Sequence, residues 1–211
     1  MNRTARGLAG LILVVVAIAP ARAQDPRIGN RLDAPTRVAI TALLDSARAQ
    51  GIPVEPLMQK VYEGLAVGAD GPRIVAAVRT LRVEMASVHR ELGTVASADE
   101  IKAAASAVHA GVPAVELGKL KKQGGLRRSL TLPFTVLADI VSRGVPVEAG
   151  VNAIKSLVGA GAKDTDINNF QRNVSDDIQK GAPPAAAAET RAKAVPASKP
   201  DAPKPEQQDQ N

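Results

Sequence analysis

GVPVE (144–148) has a near copy, GIPVE (51–55), 93 positions upstream, and the fold follows from what that phrase is for. Each of its residues has a local duty. A glycine just past a helix takes up a left-handed backbone without a Cβ penalty. Ile52 or Val145 then covers the junction. The proline is expected at the first position of the next helix, its φ already set, which places the glutamate on the third. There a carboxylate meets unpaired N–H groups and the positive end of the helix dipole. The phrase therefore reads as a bend between helices and leaves no residue over for catalysis. Gly111-Val112-Pro113 repeats the bend, with its acid one place later at Glu116.

Working outward from these bends, the spacing is helical throughout. In PRIVAAVRTLRVEMASVHREL (72–92), Ile74, Val78, Leu81, Met85, Val88 and Leu92 recur at alternating intervals of four and three. That is one continuous apolar stripe, with Arg73, Arg79, Arg82, Arg90 and Glu91 lying off it. Asp33 with Pro35 opens a helix that Gly51 ends. A second helix carries Leu57, Val61 and Leu65 up to Gly68, and Ser97 with Glu100 forms a capping-box pattern for another. Further helices start near Pro113, Leu130 and Pro146, and Asp164 is expected to cap a last one bearing Ile167, Phe170, Val174 and Ile178. At the same offset of 93, Val61 matches Ile154, Leu65 matches Val158, Gly68 matches Gly161 and Ile74 matches Ile167. Two related three-helix units, 40–81 and 133–174, flank a degenerate hairpin. The expectation is an all-α domain of about eight short helices in hairpin repeats, as an α-solenoid or a compact bundle.

The ends differ in character from this middle. Residues 1–23 read as a cleaved export signal: Arg3 and Arg6 precede an apolar run at 8–19, then Pro20 and Ala21-Arg22-Ala23 fit a cleavage site. Twelve apolar residues fall short of the ~20 a membrane-spanning helix needs. Cleavage after Ala23 implies a periplasmic or secreted chain without a transmembrane helix. It also removes three arginines, lowering the formal charge from +6 to +3. Residues 24–32 form a short linker and 33–180 the helical domain. From 181 to 211 the sequence holds nine alanines and six prolines, with Val195 its one large aliphatic residue. Such a segment reads as a disordered tail, having too little to bury against the entropy of ordering. The chain has no cysteine, so the domain must be held by packing rather than disulfides.

The chemistry is sparse. His89 and His109 each lack a second ligand at helical spacing, so no metal site is expected. Asp164, Asp166 and Asn168 fit the start of a calcium loop, but Asn169 stands where glycine is required and Ser175 where glutamate is required. GAGAK (159–163) follows a helix and lacks phosphate-loop spacing. No nucleophile motif is present, and no catalytic residue or cofactor is assigned; a hydrolase built from Glu63, His89 or His109 is the remote alternative. One cluster points to a ligand. Lys119, Lys121, Lys122, Arg127 and Arg128 place five positive charges around Gly124-Gly125 with no acid between them. They suggest an anion-binding loop for a polyanion or anionic lipid headgroups. Nucleic acid fits poorly, because stacking aromatics are missing. The primary expectation is a non-catalytic exported protein that engages a protein partner in the bacterial envelope through a helix-hairpin surface, with the anion-binding loop as its alternative.

Overall fold

The computed structural model describes residues 31–125 and 128–195. Within them the chain forms nine α-helices and no strand. They are α1 (Ala34–Ala49), α2 (Glu55–Ala66), α3 (Gly71–Leu92), α4 (Ala98–His109), α5 (Ala114–Gly124), α6 (Thr131–Ser142), α7 (Val147–Gly159), α8 (Asp164–Gln179) and α9 (Pro184–Lys193).

One bend joins most of them. At Gly51, Gly68, Gly111, Gly144, Gly161 and Gly181 the backbone takes positive φ, between 67° and 105°. At each, the glycine N–H and the N–H that follows bond back to helix carbonyls: Gly144 to Val141 at 2.9 Å, Val145 to Ile140 at 3.1 Å. This pair of bonds satisfies carbonyls that a helix end leaves orphaned. The residue after the glycine plugs the junction, Ile52, Val112, Val145 and Ala162 being at most 3% exposed. The prolines stand slightly earlier than expected. Pro113, Pro146 and Pro183 are N-cap residues with extended ψ near 130–140°, and α2 begins two residues after Pro53. An extended ψ turns the chain into the next helix, and proline's φ suits that state as well as a helical one. Asp164 likewise lies inside the first turn of α8, where Asp166 accepts the Lys163 N–H at 2.9 Å.

The 93-residue repeat is visible in the elements. α1, α2 and α3 end or begin at 49, 66 and 71; α6, α7 and α8 do so at 142, 159 and 164. Extensive contacts join helices that are adjacent or next-but-one along the chain. One row runs α1, α3, α5, α7, α9; α4, α6 and α8 form the other, with α2 packed on α3 at its start. That nearest-neighbour pattern is the arrangement of an α-solenoid. A single apolar core threads it, including Ile40, Leu57, Val88, Phe134, Ile154 and Phe170.

The tail expectation needs correction. Residues 184–193, placed in a disordered segment, form α9, which packs on α7 and α8 and buries Ala187, Ala188 and Ala192. Arg191 grips Asp177 through two bonds, of 2.6 and 2.8 Å. The hydrogen bond from Arg191 holds the Asp177 carboxyl below its usual range. Alanine is the best helix former, and the small residues lie against a neighbouring helix that supplies the burial they cannot supply alone. Residues 196–211, the segment 1–23 expected to be an export signal and most of the expected 24–32 linker lie outside the described residues. No helix among the described residues is long and apolar enough to cross a membrane.

Candidate functional site

The basic cluster is not one surface. Lys121, on the last turn of α5, points inward: its side chain is 3% exposed and donates to Glu100 Oε1 at 2.7 Å, where Glu100 is itself only 4% exposed. It also donates to the Arg128 carbonyl at 3.0 Å. Glu100 Oε1 accepts the Leu130 N–H at 2.8 Å, and Oε2 accepts the Ser97 N–H at 3.2 Å. One carboxylate thus caps α4, receives a lysine from α5 and holds the start of α6. The Arg128 guanidinium donates to the carbonyls of Val158, at 3.3 Å, and Ala162, satisfying the C-terminal end of α7. Lys121 and Arg128 are therefore withdrawn from the anion-binding set, because both donate to internal groups: Lys121 to the buried Glu100 carboxylate and Arg128 to carbonyls at the end of α7. Lys119 pairs with Glu116 at 2.7 Å. Lys122 is exposed. Arg127 lies outside the described residues.

A different feature emerges on α4. The run Ala103–Ala104–Ala105–Ser106–Ala107 gives this helix almost no side-chain height, and Ala103, Ala104, Ala105 and Ala107 are all buried. Small side chains let α6 approach closely. They also leave the outer stripe of α4 lower than its neighbours. The result is a groove of 520 Å³ spanning α2, α3, α4 and α6. Ala77, Leu81, Ala105 and Ala138 supply its apolar lining, and Lys60, Glu84, His109 and Asp139 are among its polar walls.

Each polar group is held in place. Glu84 Oε1 meets His109 Nδ1 at 2.8 Å, joining α3 to α4. Asp139 Oδ2 accepts from Arg143 Nε and from Gln171 Nε2, both at 2.9 Å. Burial opposes the Asp139 charge, but these two hydrogen bonds and the charge of Arg143 outweigh it and hold the carboxyl below its usual range. Lys60 pairs with Glu63 at 2.5 Å.

The residues of the hydrolase alternative are not assembled. Glu63 is spent on Lys60, and the carboxylate at His109 is Glu84, which the sequence does not single out. His89 lies on α3 against the Gly51 bend, its Nδ1 buried without a hydrogen-bond partner. Among the described residues, no group of three His, Cys, Asp or Glu side chains could hold a metal ion. Glu84 and His109 are 25 residues apart, a spacing no local pattern reports. The run of alanines at 103–107 was the one legible sign of the groove. Comparison with protein-family models, with curated proteins and with solved structures returns no match.

Proposed function

We propose that this chain is an exported, non-catalytic helical-repeat protein that docks a segment of a partner protein in the groove over α4. The observation carrying this reading is the groove itself: it crosses four helices, has a shallow apolar lining of Ala77, Leu81 and Ala138 and is walled by oriented polar groups. A solenoid presents an extended surface of this kind, and small lining residues allow close approach of another backbone. The arrangement offers positioned contacts without a nucleophile poised on a base, which favours binding over turnover. The withdrawal of Lys121 and Arg128 into the interior weakens the anion-binding alternative, since two of its five charges no longer face a ligand.

Site-specific photo-crosslinking tests this. A photoreactive residue at Ser106 or Ser142, both in the groove wall, should yield discrete adducts in envelope fractions. The same residue at Val83, exposed elsewhere on α3, should not. Equal adduct patterns at all three positions would remove the groove from the function.

A further inference from the structure

The groove's carboxylates are each used on one side only. Glu84 Oε1 is engaged by His109, and both donors to Asp139 converge on Oδ2. Glu84 Oε2 and Asp139 Oδ1 carry no hydrogen bond among the described residues, although an ionised carboxylate has about four lone-pair sites. The side chains are partly sheltered, 15% exposed for Glu84 and 26% for Asp139.

The local charges decide what suits them. Arg143 balances Asp139 and Glu63 balances Lys60, which leaves the Glu84 carboxylate with the His109 ring alone as its partner. An anionic occupant would be repelled. A wholly apolar one would strip water from two carboxylates and leave their free oxygens unpaired. A guanidinium answers both requirements: it is permanently charged, has five donors, and its methylene stem suits an apolar surface such as Leu81 and Ala138.

We infer that the partner segment presents an arginine to this groove, its stem lying on Leu81 and Ala138 and its guanidinium donating to Glu84 Oε2 and Asp139 Oδ1. The inference rests on the docking reading above and specifies the chemistry of the partner.

A random peptide library displayed on phage and panned against the purified protein tests it. Arginine should be enriched at one position, and the selected peptides should bind about tenfold or more weakly to Glu84→Gln and to Asp139→Asn, as charge-pair truncations do. Ser106→Trp, which fills the groove from an exposed position, should abolish binding; circular dichroism checks that each variant is folded. Peptides blocked by Ser106→Trp yet lacking a basic residue, or indifferent to Glu84→Gln, would overturn the arginine while leaving the docking reading intact. Peptides indifferent to Ser106→Trp, or no enrichment, would overturn both. Displacement of selected peptides by a synthetic peptide of residues 196–211 would make this chain's own tail the occupant and overturn the partner.

Discussion

Lys121 shows how little a residue's type says about its duty. In sequence it is the middle of a basic run; in the fold it is the cation of a buried pair whose carboxylate also holds two backbone N–H groups. Breaking such a pair leaves an uncompensated charge, typically costing about 3–5 kcal/mol. Lys121→Met should therefore lower unfolding free energy by that order in denaturant titrations, while Lys122→Gln, one residue on and exposed, should stay within about 0.5 kcal/mol. A second consequence concerns acid. Asp33, Asp139 and Asp177 all have carboxyls held below their usual value: Asp33 chiefly by the Thr36 N–H, Asp177 by Arg191, and Asp139 by Arg143 and Gln171 against the opposing effect of burial. A depressed folded pKa contributes stability that is complete above the unfolded value, near 3.8, and is lost as pH falls through the folded one. Thermal stability should hold between neutral pH and about pH 5 and fall below about pH 4. Asp139→Asn should be less stable than the parent at neutral pH, with the gap closing on acidification.

Among the elements, the start of α3 is the tightest junction. A Cβ on Gly71 would lie 1.9 Å from Thr36 Oγ1 and 3.1 Å from Asp33 Oδ2. Thr36 is buried, and its N–H is tied to Asp33 at 2.7 Å, so its hydroxyl has little room to yield. Gly71→Ala should thus destabilise the chain by about 1–3 kcal/mol, the usual cost of overpacking, against the general rule that alanine improves a helix over glycine. Calorimetry reads the sign. At the other end, α9 is integral to the array. Ending the chain after Lys180 uncovers the face that α7 and α8 present to Ala187 and Ala188 and breaks the Asp177–Arg191 fork. That truncation should lower the melting temperature by several degrees, at roughly 4–8 °C per kcal/mol for a small domain.

At the scale of the whole molecule, stability is a sum over neighbours, since extensive contacts reach no further than the next helix but one. α4 and α6 share the broadest interface and α1 lies at an end. In such arrays the interior outlasts the ends. Amide exchange should therefore be slowest in α4 and α6 and fastest in α1, and uniform protection across all nine helices would contradict the nearest-neighbour picture. The core is built largely from Ala, Val, Leu and Ile, with Phe134 and Phe170 its buried aromatics. Small side chains bury less area each, at about 25 cal/mol per Å². Melting below about 90 °C, the usual mark of hyperstability, is the corresponding expectation.

The bends, the helices between them and the 93-residue repeat were legible in the sequence, because each depends on groups a few residues apart: a glycine's φ, a proline's missing N–H, a carboxylate three positions from a serine. Even α9 had its sign in Gly181-Ala182-Pro183, the same phrase as the other bends, masked by a composition that resembles an unfolded tail. What joins distant segments was not legible. The inward turn of Lys121 onto Glu100, the Glu84–His109 contact and the convergence of Arg143 and Gln171 on Asp139 follow from which helix faces meet. The helical repeat constrains those meetings, but only packing of the complete array decides them.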